Sequence, residues 1–207
     1  AITKDVTIIP EGKEFRLSEN GWLKEPVICE LKIPVNSISK SYDMWVKIYP
    51  GMFSQLIEGL DSMLRMPYGC FEQTTSVTYP NIMVLDYMKS SGKITPDIQM
   101  KAEYYINLGY QRLVGFEVPG GGFSLYGNAP ASQWLTAYGL MEMTDMNKVY
   151  PIDENIIERS KNWLLKHQQS DGSWKASGGY HSWTTGKSKN LNLIETAIIA
   201  RALSETG

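Results

Sequence analysis

The sequence predicts a mainly α-helical protein of stacked helical hairpins, preceded by a short β segment. Three observations carry that prediction. Apolar residues recur at steps of three and four through six stretches after Gly51. Before that point the segments are short, rich in Val and Ile, and broken by proline and an Asn-Gly pair. Between the helical stretches lie glycine- and aromatic-rich loops, GFEVPGGGFSLYG and QQSDGSWKASGGYHSWTTG. This loose two-helix repeat fits hairpins stacked into a ring or solenoid, with aromatic loops packed at the helix ends.

Residues 1–50 read as β through the segments DVTIIP, KEFRLS, PVICELKIPV and DMWVKIYP. Val27, Cys29, Leu31 and Ile33 alternate with Ile28, Glu30 and Lys32, the pattern of a strand buried mainly on one face. On that face Cys29 is expected to be an inert core thiol. From residue 51 the period turns helical. Met52, Leu56, Leu60, Met63 and Leu64 mark the first helix. Ile82, Leu85 and Met88 mark the second, with Pro80 starting or kinking it. Ile98, Ala102, Tyr105, Ile106, Gly109 and Leu113 give the third; Trp134, Leu135, Tyr138 and Met141 give the fourth. The fifth runs through Ile156, Ser160, Trp163, Leu164 and His167, which places His167 on an apolar face as a core histidine. The sixth carries Leu191, Ile194, Ala197, Ile198 and Ala202, and Asn192 three residues before Glu195 reads as its capping pair.

Composition narrows the function. Of 207 residues 43% are hydrophobic and 20% charged, enough to bury a core and too apolar for disorder. A net charge of −2, with no basic run, argues against a nucleic-acid partner. No apolar stretch approaches the ~18 residues of a membrane helix; LNLIETAIIARAL carries both Glu195 and Arg201. Two cysteines, Cys29 and Cys70, make no disulfide framework and have no zinc-ligand spacing. No metal and no cofactor is expected.

The chemistry is concentrated in one heptapeptide, Pro67-Tyr68-Gly69-Cys70-Phe71-Glu72-Gln73. Cys70 and Gln73 stand three apart, so one helical turn brings their side chains together. The thiolate can then attack the Gln73 carboxamide carbon, expel ammonia and close an internal thioester. A position just after Pro67-Tyr68-Gly69 falls near a helix N-terminus, where the helix dipole favours a thiolate both as nucleophile and as leaving group. Gly69 lets the chain turn sharply and approach the ring closely.

The full PYGCFEQ string resembles the thioester motif of the alpha-macroglobulin and complement thioester family, in its bacterial form. Phe71 replaces the glycine of the animal version, as in the bacterial variants. Further along, PNIMVLDYM (80–88), GGFSLYGNAPASQWLTAYGL (121–140) and YPIDENIIERSKNWLLKHQQSDGSW (150–174) are similar to family segments in the family order. The resemblance covers about residues 50–205. It implies an α/α toroid of terpenoid-cyclase-like helical hairpins over 51–207, cut short by about half, and makes residues 1–50 the first strands of a CUB-like β domain. It also implies a covalent trap of single turnover rather than an enzyme, acting as a protease inhibitor or opsonin. After activation of the parent protein, Lys amines or surface hydroxyls of target proteases or surfaces attack Gln73, leaving a free Cys70 thiol. Tyr68 and Phe71 would either shield the bond from water or serve as ordinary core packing, and Glu72 would either stand solvated at the helix start or move protons. His181, in the loop after Asp171, would either take the acyl group first, where hydroxyls are preferred, or be a loop histidine with no chemical role. Location is implied to be extracellular, periplasmic or at the cell surface, among the other domains of a larger chain.

Three rival readings compete. Gln168, Gly172 and Trp174 fit the Q-x-x-x-G-x-W clasp of terpenoid cyclases, but the clasp occurs once and no D-x-D-D acid motif accompanies it. A papain-type protease lacks its C-G-S-C-W motif here. The more serious alternative is a binding or structural module in which the Cys70–Gln73 bond never forms.

Overall fold

A computed structural model describes residue 3, residues 12–176 and residues 190–207. The chain separates into two compact units, Ala1–Ile48 and Tyr49–Gly207. In the first, no strand occurs among the described residues. The expected alternating face is not buried: Val27 is 60% exposed, Leu31 51% and Ile33 54%. Cys29 is likewise exposed, so the prediction of a core thiol is corrected. The physical reason is that a strand must take its hydrogen bonds from a neighbour. Backbone bonds of this stretch such as Ser37 N–H to the Pro34 carbonyl, at 2.9 Å, close turns rather than pair strands.

The second unit is helical: α1 Met52–Met63, α2 Phe71–Ser90, α3 Pro96–Val114, α4 Gln133–Val149, α5 Asn155–Lys166 and α6 Leu191–Thr206. Each coincides with one of the six apolar stripes. Helix α3 starts where Thr95 caps the Ile98 amide and Pro96 fills the first turn. Ser132 caps Leu135 in the same way at the start of α4. Helix α4 is the centre of the unit, packed against α2, α5 and α6, while α2 also packs against α1 and α3. Its burial covers most of its circumference, through Leu135, Ala137, Leu140, Met143 and Met146, and leaves Lys148 exposed. Two glycines set how closely the helices approach. A Cβ at Gly109 of α3 would stand 2.2 Å from Thr78 Oγ1 of α2. One at Gly139 of α4 would stand 2.8 Å from the Phe123 ring and 3.1 Å from that of Phe71.

Two local expectations are corrected, and of the two roles given to Pro80 the helix start is ruled out. Pro80 lies well inside α2, which begins nine residues earlier at Phe71. The lost Pro80 amide costs one backbone bond, but flanking Thr78, Asn81 and Ile82 are fully packed and carry the helix through. Asn192 does not cap α6: the N-cap is Asn190, and Asn192 Oδ1 instead accepts the Ala176 amide at 2.9 Å. His167 is exposed at the C-terminus of α5 rather than in the core, its ring stacked 3.9 Å from that of Trp163 and its Nδ1–H donating to the Trp163 carbonyl at 2.7 Å. The apolar period of α5 ends at Leu164, one turn before the histidine.

The loop after α5 works as a clasp. Gln168 Nε2 donates to the Gly172 carbonyl at 2.9 Å, and the buried Trp174 indole donates to the Leu164 carbonyl of α5 at 2.9 Å. The Trp174 amide reaches Thr196 Oγ1 of α6, also at 2.9 Å. One loop thereby joins two helix ends.

Candidate functional site

The heptapeptide forms the turn into α2. The segment leading to it is extended and held to α2 by Asn81, whose buried amide group accepts the Arg65 N–H at 3.1 Å and donates to the Arg65 carbonyl at 2.8 Å. Leu64 and Pro67 are buried along the way. Gly69 then turns the chain with φ +78°, in the left-handed region. A side chain is excluded there for a second reason: a Cβ on Gly69 would lie 2.0 Å from Gln73 Oε1 and 2.7 Å from Gln73 Cδ.

Cys70 is the N-cap of α2 and Gln73 its third residue. The two form a capping-box arrangement: the Cys70 side chain faces the Gln73 backbone N–H, and Gln73 Oε1 accepts the Cys70 N–H at 3.1 Å. This is the geometry of a capping box with cysteine in the place usually held by serine or threonine. It places the Cys70 side chain and the Gln73 carboxamide on the same first turn of α2. Cys70 is partly accessible and Gln73 exposed.

Phe71 sits fully in the core, its ring 5.3 Å from that of Phe123 and 6.1 Å from that of Phe116. Its amide donates to the Leu125 carbonyl at 3.0 Å, which fastens the start of α2 to the glycine-rich loop. Phe71 thus anchors the turn. Tyr68, expected as a shield, is 61% exposed, and Glu72 is half-buried in the first helical turn. His181 lies outside the described residues.

Two side chains that the sequence did not single out complete the site. Arg112, in the last turn of α3, donates from Nη2 to the Gly69 carbonyl at 2.6 Å and from Nε to Thr74 Oγ1 at 3.4 Å. The Thr74 hydroxyl donates in turn to the Tyr68 carbonyl at 3.2 Å. Asn81 is the other, and the only sequence signal for it is its place in the PNI tripeptide. For Arg112 there was no signal, since a basic residue in a helix's last turn is ordinary.

A buried acid lies in α4. Glu142 is wholly buried, neither of its carboxyl oxygens has a hydrogen-bond partner among the described residues, and burial raises its pKa well above the usual carboxylate range. The Tyr79 hydroxyl, in α2, donates to Asp145 at 2.5 Å and its ring packs edge-on against Tyr138. Burial is the main cause that raises the Tyr79 pKa, and the Asp145 and Glu142 carboxyls raise it further. Among the described residues, no group of three or more His, Cys, Asp or Glu side chains converges to hold a metal ion.

Residues 44–207 match the family model described as the A-macroglobulin TED domain. Mouse alpha-2-macroglobulin-like protein 1 is 29% identical over 147 residues, which are 70% of this chain and 10% of that protein. The structure of Salmonella alpha-2-macroglobulin reacted with methylamine superposes with a TM-score of 0.51 at 26% identity, over 72% of this chain and 9% of that one. A tyrosine-to-glycine mutant of the same Salmonella protein matches with the same TM-score, 0.51, the same identity, 26%, and the same coverage. The chain therefore spans about a tenth of the length of these relatives, and its helical part is an α/α toroid.

Proposed function

The chain belongs to the A-macroglobulin family as its TED, or thioester, domain, and on that premise we propose that Cys70 and Gln73 close an internal thioester that acylates a target nucleophile. The observation that carries this reading is the reciprocal cap, which holds Cys70 Sγ and the Gln73 carboxamide together on the first turn of α2. In closing, the Cys70 sulfur bonds to Gln73 Cδ, the C–N bond breaks, and the thiol proton leaves with ammonia. A thioester has weak resonance and a good leaving group, so it is an acylating agent wherever water is kept away. In opening, an amine nitrogen bonds to Cδ, the C–S bond breaks, and the amine proton passes to sulfur. The event occurs once per chain, so the domain is a covalent trap without turnover.

Methylamine, named with the Salmonella relative, is the natural probe. In the parent protein the proposed targets are Lys amines or hydroxyls of proteases or surfaces, in an extracellular, periplasmic or cell-surface setting. Residues 1–50 are in this reading strands of a CUB-like domain whose partner strands come from elsewhere. Intact-mass measurement tests the reaction. The native chain is expected to lack one ammonia relative to its sequence, to gain methylamine, and then to expose a thiol; Cys70→Ala abolishes all three. Full sequence mass together with a freely alkylated Cys70 would overturn the reading. That outcome would favour a structural module, since the same hydrogen bonds by themselves complete an ordinary helix cap.

A further inference from the structure

Arg112 holds the turn through its bonds to the Gly69 carbonyl and to Thr74 Oγ1. Its Nη2 donates to the Gly69 carbonyl at 2.6 Å. That carbonyl and the Cys70 N–H belong to one planar peptide group, and the Cys70 N–H donates to Gln73 Oε1 at 3.1 Å. A continuous path therefore runs from guanidinium to carbonyl, through the peptide, to the amide hydrogen and Oε1. Oε1 is the atom on which negative charge collects when sulfur or an amine adds to Gln73 Cδ. Hydrogen bonds in series polarise one another, and a charged donor at one end strengthens the chain.

We propose that Arg112 is a positioning residue for thioester chemistry, acting through the 69–70 peptide to aim and strengthen an oxyanion donor at Gln73 Oε1. The proposal rests on the thioester reading above. In both closing and opening, the C=O electron pair moves onto Oε1 as the new bond to Cδ forms, and returns as the C–N or C–S bond breaks. The Cys70 N–H is the donor that faces this charge in each direction. Its aim depends on the rotation of the peptide at Gly69, which has no side chain to hold it. Arg112 supplies the hold: its fork spans the Gly69 carbonyl and Thr74 Oγ1, while the Thr74 hydroxyl ties down the Tyr68 carbonyl at 3.2 Å. A role confined to the end of α3 would require no bond to Gly69. Because Arg112 is exposed, its contribution falls on rate more than on folding.

The test is methylamine incorporation into the 207-residue chain, followed by intact mass, with wild type, Arg112→Gln, Arg112→Lys and Cys70→Ala in parallel. Ammonia loss reads how much thioester forms, and the incorporation rate of that fraction reads its opening. Arg112→Gln is expected to slow opening about tenfold, less than the ~10²-fold cost of deleting a direct oxyanion donor. Arg112→Lys is expected to recover most of the rate, because an ammonium also donates to the Gly69 carbonyl. Arg112→Met, which keeps the aliphatic stem, replaces the Gln variant if that variant loses helicity by circular dichroism. A neutral variant that opens at the wild-type rate overturns the proposal, as does a folded Arg112→Lys no faster than the neutral one. Either result leaves the thioester reading standing. Wild type that never loses ammonia overturns both.

Discussion

The two units of the chain carry the same kinds of large apolar side chains and treat them oppositely. In the first, Phe15 is 77% exposed, Trp22 71% and Val35 fully so. In the second, Phe71 and Phe123 are completely buried and Trp174 nearly so, at 3%. The difference is one of hydrogen bonding before it is one of hydrophobicity. A helix pairs its own backbone within four residues and is then free to offer its apolar stripe to a neighbour. A strand segment cannot bury its face until another segment has taken its amides and carbonyls. Apolar pattern is thus a sufficient instruction in one unit and an unanswered one in the other.

The largest expected effect comes from the middle of the packed unit. Phe71→Ala removes a ring that touches Phe116 and Phe123 and should cost about 3–5 kcal/mol in chemical denaturation. A loss below about 1 kcal/mol would mean that the start of α2 is not anchored as described.

Next comes the acid in α4. Because burial raises the folded pKa of Glu142 above its unfolded value, the folded state holds that proton over a range in which the unfolded state has lost it. Stability should therefore be greatest at low pH and fall as pH rises from the ordinary carboxylate range toward the raised value. Tyr79 and Tyr138 are the titrating groups facing it, and both remain neutral through that range. Glu142→Met should raise stability at neutral pH by about 1–3 kcal/mol and flatten this dependence in thermal melts across pH. An unchanged slope would show that other groups set it.

The smallest effect tests the other side of the comparison. Trp45 is 82% exposed, and Trp45→Ala should change the melting free energy by no more than about 0.5 kcal/mol. A cost close to that of Phe71→Ala would erase the distinction between the units.

How much of this was legible in the residues follows the same physics. The six helices were readable because a 3.6-residue apolar period is a local property. Cys70 and Gln73 were readable because their meeting needs only one turn of helix. Asn81 and Arg112 were not, since their contacts at Arg65 and Gly69 span 16 and 43 residues, and nothing local announces them. Cys29 and His167 were misplaced because a short alternation, and a stripe extended by one turn, each look like burial until the partner surface is known. Glu142 sits in the apolar run LMEMTDM, where period alone assigns it to the core without saying how a carboxyl is accommodated.

The reciprocal cap has a kinetic side. Two groups that must meet by diffusion react at a rate set by how often they find each other. On the proposed thioester reading that search is over once the first turn of α2 has formed, because the two groups belong to one turn and need not meet by diffusion. If the proposed thioester forms, its clock is the opening and closing of a single helical turn, and any change that frays Cys70–Gln73 would slow it in proportion to the time the turn spends open.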